Sequence, residues 1–156
     1  MSQEDVELVT GALAEVIGED GTVDMIGLAR RPPARFAAAV DPSADIRFFT
    51  AGGRTLGEMR GPFVGIDGFL AGWREWTEPF DTFTAAIERI EDGGDGRVLI
   101  LVETRARLRG GGPEVTDHTA VLYTLSEGRI IGINHYLDQD DARRAAGLAS
   151  TPKEER

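Results

Sequence analysis

Between Phe83 and Asp138 apolar and polar residues alternate with a period of two, and short glycine-rich segments cut this stretch into four pieces. The pieces run from Phe83 to Glu91, Arg97 to Arg109, Glu114 to Leu125 and Gly128 to Asp138. The turns between them are Asp92-Gly-Gly-Asp-Gly96, Gly110-Gly-Gly-Pro113 and Ser126-Glu-Gly128. Connections this short join antiparallel neighbours, because a parallel pair needs a crossover of a dozen residues or more. In the second piece Glu103, Arg105, Arg107 and Arg109 point one way, while Val102, Thr104, Ala106 and Leu108 point the other. Such alternation belongs to a sheet packed on one face and wet on the other.

The cover for the packed face has to come from upstream. Val6, Val9, Leu13, Val16 and Ile17 recur at helical spacing behind the capping-box-like Ser2-Gln-Glu-Asp5, which predicts a helix over 3–17 closed by Gly18. Residues 18–33 are irregular, broken by Gly21, Gly27 and Pro32-Pro33, with one helical turn around Val23 to Leu28 and loop elsewhere. Ala34 to Val40 reads as a short helix stopped by Asp41-Pro42, Asp45 to Thr50 as a strand, and 51–62 as a glycine-rich connection. Gly65 to Glu78 is the clearest helix. Its Ile66, Phe69, Leu70, Trp73 and Trp76 form one apolar stripe, and Pro79 ends it. A closing helix over 140–146 has Gly147 just beyond its cap. Helices first and strands after them imply a segregated α+β layout: a strongly curved antiparallel sheet wrapped around helices, with a cavity inside. Residues 1–148 make one domain, and 149–156 a polar tail expected to be disordered.

The charge balance narrows the partners. With 156 residues, a net charge of −10 and a pI of about 4.7, the chain lacks the clustered basic residues that nucleic acid or an anionic membrane requires. Its start has no signal-peptide pattern, and no apolar run approaches the ~20 residues of a membrane span, so a cytoplasmic protein is expected. There is no cysteine and there are two histidines, which leaves no basis for a disulfide and little for a transition-metal site. No dinucleotide motif is present, and no cofactor is expected.

In order and spacing, several stretches resemble one family. They are Ser2-Gln-Glu-Asp-Val-Glu7, Gly65-Ile-Asp-Gly-Phe-Leu-Ala-Gly-Trp73, Ile90-Glu-Asp-Gly-Gly-Asp-Gly-Arg-Val98, Tyr123-Thr-Leu-Ser-Glu-Gly-Arg-Ile130, and the run from Tyr136-Leu-Asp-Gln-Asp-Asp to Leu148. Together they are similar to the SnoaL-like branch of the nuclear transport factor 2-like superfamily, which includes polyketide cyclases, ketosteroid isomerase and limonene epoxide hydrolase. The resemblance implies a cone-shaped α+β barrel with a pocket at one end, often a homodimer through the sheet. It does not fix an activity, because one fold hosts unrelated functions.

The candidate site follows from strand faces and from that resemblance. On the last strand Ile131, Ile133, His135 and Leu137 share one face, and Ile130, Gly132, Asn134 and Tyr136 the other. On the strand before it Val115, Asp117, Thr119 and Val121 share a face. Likeness to the epoxide hydrolase implies that His135 stands where that enzyme has a catalytic Asp, with Leu137, Asp117 and Thr119 at lining positions. Where that enzyme needs an Arg and an Asp, this chain has Thr104 and Ala106, so epoxide hydrolysis is not expected. The isomerase trio has no counterpart either, with Tyr123 and Tyr136 expected on the wrong faces. Asp117 and His135 are the expected catalytic pair, the carboxylate orienting an imidazole that moves a proton on a small cyclic or polyketide-like carbonyl compound. The competing structural reading is a satisfied pocket histidine bonded to Asp117 without turnover, in a module that binds a small apolar ligand or a partner chain. Phe69, Trp73 and Trp76, with Phe80, are core residues that also wall the pocket, Thr104 and Thr119 line it, and Phe48 and Thr50 reach its mouth. His118 faces outward, and Glu103, Arg105, Arg107 and Arg109 form a solvated or dimer-facing stripe.

Overall fold

The computed structural model describes residues 2–49 and 63–148. Thr50, the connection 51–62 and the tail 149–156 lie outside the described residues. In chain order the elements are α1 (Ser2–Leu13), β1 (Thr22–Asp24), α2 (Met25–Arg30), α3 (Ala34–Ala39), β2 (Val40–Phe49), β3 (Phe63–Val64) and α4 (Gly65–Thr77). They continue with β4 (Phe80–Gly94), β5 (Arg97–Leu108), β6 (Glu114–Ser126), β7 (Arg129–Tyr136) and α5 (Gln139–Ala145). The strands form one seven-stranded sheet in the order β1-β4-β5-β6-β7-β2-β3. It curls around α1, α2 and α4, as the alternation and the apolar helix stripe imply, and takes the α+β cone shape that the family resemblance implies.

Turn chemistry fixes the hairpins. Asp95-Gly96 joins β4 to β5 and Glu127-Gly128 joins β6 to β7, and both residues of each loop have positive φ. That is the two-residue turn whose twist matches the flanking strands, and it sets the register of everything that follows. The closing helix is equally well specified. Asp138 accepts hydrogen bonds from Asp140 N at 2.7 Å and Asp141 N at 3.3 Å, which caps its start. At its end Gly147 has φ +76°, with Leu148 N bonded to Arg143 O and Gly147 N to Arg144 O, the paired bonds of a Schellman motif.

The sheet is mixed, which corrects the expectation of a purely antiparallel one. β2 pairs with β7 in parallel, Phe48 opposite His135, because α4 and four strands intervene and supply the long return that a parallel neighbour needs. The order of elements is also less segregated than expected: β1 to β3 alternate with the helices. β1 is only three residues, too short for a period to register. Val23 inserts into the core and Asp24 caps α2 through Gly27 N. α1 ends at Leu13, four residues early, and a turn bonded back to Leu13 O carries Val16 and Ile17 onto the core.

Two cores result. The larger lies inside the cone and includes Phe36, Phe48, Phe69, Trp73, Phe83, Tyr123 and Ile133. The smaller lies on the convex face, where Leu99, Leu101, Ala120, Leu122 and Tyr136 pack under Ala142 and Ala146 of α5. The wet face is therefore half covered. Arg143 clips the helix down with a bidentate pair to Glu91, at 2.8 and 3.0 Å, and both side chains are largely withdrawn from water. On the uncovered half Glu103, Arg105 and Arg107 run as predicted.

Glycines in α4 are spacers. A Cβ at Gly72 would come within 2.4 Å of the Phe48 ring, and one at Gly68 within 2.6 Å of the Phe63 backbone. The helix therefore lies against β2 and β3 more closely than any side chain there would allow.

Candidate functional site

The inner faces of β4, β5, β6 and β7 and the buried sides of α1, α2 and α4 enclose a cavity of about 140 Å³. Its wall is almost wholly apolar, with Phe36, Phe69, Trp73, Trp76, Phe80 and Phe83 supplying the rings. The polar side chains on it are Thr104, Asp117, Thr119, Tyr123 and His135, with Tyr136 at the margin; no Lys or Arg is among the described lining residues.

His135 sits in an aromatic cage on this wall. Its ring stacks on Phe48 (centroids 4.5 Å apart, 8° between planes), meets Trp73 edge-on at 4.9 Å, and tilts against Phe69 at 5.9 Å. The Trp73 indole Nε1–H donates to His135 Nε2 at 3.1 Å, so that nitrogen is an acceptor and the proton of the neutral ring belongs on Nδ1. Nδ1 is sealed from water and has no hydrogen-bond partner in good geometry. Burial lowers the histidine pKa to about 3, and a backbone interaction with Arg47 opposes this only partly. At neutral pH this imidazole is uncharged, with its basic lone pair already used.

The expected hydrogen bond from the His135 imidazole to the Asp117 carboxylate is not formed. Opposite His135 stands Val121, and Asp117 lies four residues further along β6, about 13 Å away at strand rise. There it pairs with Thr104, whose hydroxyl donates to the Asp117 carbonyl at 3.3 Å. Asp117 is solvent-exposed at the rim, whereas His135 is deep and 4% exposed. Both line one cavity, but at different depths.

Of the other expected positions, Phe69, Trp73, Trp76, Thr104, Thr119 and Leu137 line the cavity. Phe48 does not reach it or its mouth, being 2% exposed behind His135. Thr50 lies outside the described residues. Ile131, placed by strict alternation beside His135, is exposed instead, because an irregularity between Thr124 and Leu125 leaves it as the extra residue of β7. Tyr123 is the residue that sequence reasoning missed. The sequence reading puts it on the wrong face, yet it continues the series Val115, Asp117, Thr119, Val121 and lines the cavity. The signal was the same period of two, extended by one step.

On the outer face His118 lies 3.1 Å from Glu88 and 4.0 Å from Glu103, and these three are the one group among the described residues with donor atoms close enough for a metal ion. Glu88 is also bonded by Gln139, and Glu103 by Arg105. This is a surface charge network, remote from the cavity.

Among the described residues, no helix is long and apolar enough to cross a membrane. A comparison with curated proteins finds no match in sequence. Solved structures with the same fold include a nuclear transport factor 2-like protein of unknown function from Burkholderia pseudomallei, with 18% identity over 90% of this chain and 95% of that one and a TM-score of 0.59. A SnoaL-like, polyketide-cyclase-like protein from Jannaschia sp. CCS1 is 17% identical over 94% of each chain, with a TM-score of 0.58. TerC, co-crystallised with polyporic acid, is 15% identical over 92% of this chain and 98% of that one, with a TM-score of 0.59. At such identities the likeness speaks for the fold alone. The SnoaL-like domain model matches residues 11–133, through α2, α4 and six of the seven strands entire and into β7 as far as Ile133. The chain therefore belongs to the SnoaL-like domain family.

Proposed function

We propose that the cone binds one small, uncharged, ring-containing molecule, held by burial against the aromatic wall. The observation that carries this reading is the wall itself: a hollow of about 140 Å³ framed by eight aromatic residues, with no Lys or Arg among the described lining residues. Empty apolar cavities of ~150 Å³ lined by Leu, Ile and Phe take up benzene, so this one suits one or two fused rings. A charged guest would be left without a counter-ion and would lose its hydration.

A catalytic reading rests on Asp117, the one carboxylate on the described wall. With Nε2 of His135 taken up by Trp73, the imidazole is a wall and positioning group, and any proton abstraction falls to Asp117 at the rim. Acid/base turnover on a carbonyl compound is thus the second reading, favoured by that single placement.

The test uses indane as probe. Calorimetry should find saturable one-to-one uptake by the native chain. Ala106→Leu, which fills part of the hollow from a buried inner position of β5, should remove that uptake while raising or preserving the unfolding temperature. Unchanged uptake in this variant would place the indane elsewhere and end the proposal.

A further inference from the structure

Among the described residues, Tyr123 is the one deeply buried inward hydroxyl that forms no hydrogen bond. Its residue exposure is 5%, it lines the cavity, and no described residue makes a hydrogen bond to its phenol oxygen. Its strand partners are Val98 and Ile133, and its same-face neighbours along β6 are Val121 and Leu125, all apolar. Inward side chains stand roughly perpendicular to a sheet, so the phenol oxygen is the part of Tyr123 furthest from the strand and closest to the hollow. Burial holds its pKa well above the ordinary phenol range, so the group is an O–H donor at any physiological pH.

The other deep polar groups are either committed or out of a guest's reach: His135 Nδ1 has no partner but is sealed off. His135 Nε2 accepts from Trp73, and the Thr104 hydroxyl donates to a backbone carbonyl. The Tyr123 phenol oxygen is not sealed off as His135 Nδ1 is, so a guest in the cavity can supply its acceptor. Among the described residues no Lys or Arg lines the wall to balance an anionic acceptor, which favours a neutral one.

We infer that Tyr123 is the orienting donor of this site, and that its ligand class is a neutral one- or two-ring compound with a single acceptor oxygen, such as a cyclic ketone or lactone. The oxygen points toward the Tyr123 hydroxyl and the hydrocarbon rim lies against Trp73 and Phe83. This deepens the binding reading above and rests on it.

The experiment compares 1-indanone with indane, which differ only in the carbonyl, on the native chain and on Tyr123→Phe. The expected result is that Tyr123→Phe weakens 1-indanone about tenfold, the worth of one buried hydrogen bond, and shifts indane less than about twofold. The infrared carbonyl stretch of bound 1-indanone should lie lower on the native chain than on the variant. That stretch on the native chain alone decides the matter if the variant fails to fold: a frequency matching 1-indanone in hydrocarbon solvent overturns the assignment. If both probes bind and the substitution affects them equally, Tyr123 is not the donor while the cavity reading stands. If neither probe binds, both fall.

Discussion

The two faces of β5, β6 and β7 handle polar groups in opposite ways. On the convex face α5 brings a partner for nearly every one: Arg143 for Glu91, Gln139 for Glu88 and for the Thr119 carbonyl, and Asp138 for its own helix start. Only Arg143 Nε is left over. On the concave face the sheet closes on a hollow, and among the described residues neither the Tyr123 hydroxyl nor His135 Nδ1 has a partner. A face that is saturated by its own chain is finished structure. On the binding reading proposed above, the unbonded hydroxyl of the other face is where a guest would be held.

Four substitutions or conditions would break or sharpen this contrast, in decreasing order of expected effect. Arg143→Ala leaves Glu91 half-buried without its cation and should cost about 3–5 kcal/mol, read as a lower urea midpoint. It should not alter uptake of indane at concentrations where the chain stays folded, since the clip lies outside the cone.

Acid comes next. His135 is neutral in the fold with a pKa of about 3, while the unfolded chain protonates near 6.5. Its contribution is therefore complete above pH 6.5 and drains away as the pH falls toward 3. Between pH 6.5 and 4.5 the native chain should lose about 2–3 kcal/mol through this group, and His135→Phe should flatten that slope. An equal slope in the variant would mean that the caged imidazole is not what acid attacks.

Gly72→Ala forces a Cβ into the Phe48 ring that backs His135 and should cost about 1–3 kcal/mol, although alanine is the better helix former. The smallest effect belongs to Trp73→Phe. It strips the donor from His135 Nε2 and should cost about 1 kcal/mol while leaving the ring packing largely in place. Chemical denaturation at pH 7.5 measures both.

Much of this was legible in the residues. The three hairpins, the helix stripe of Phe69, Leu70 and Trp73, and the cap at Gly147 all follow from local signals: turn glycines, periods and a terminating residue. What escaped was decided by tertiary pairing. β1 is three residues whose strand character comes from lying against β4. The parallel β2–β7 neighbours are set by the path of the chain between them, and Ile131 turned outward because one irregularity shifted β7 against β6. For the site, face membership was readable and depth was not. Asp117 and His135 share an interior, but period two carries no information about how far along each strand a residue stands opposite its neighbour. The Trp73–His135 bond joins a helix to a strand 62 positions away, which no local pattern encodes.

The pairing of β2 with β7 also sets a timetable. Phe48 emerges from the ribosome about 90 residues before His135, the residue it stacks on. Until the last strand is made, the aromatic face of α4 and the inner edge of β2 have no lid and must be shielded or tolerated in a half-made chain. A truncation that removes β7 is therefore expected to expose the aromatic face of α4 and the inner edge of β2 rather than trim the rim, and so to favour aggregation.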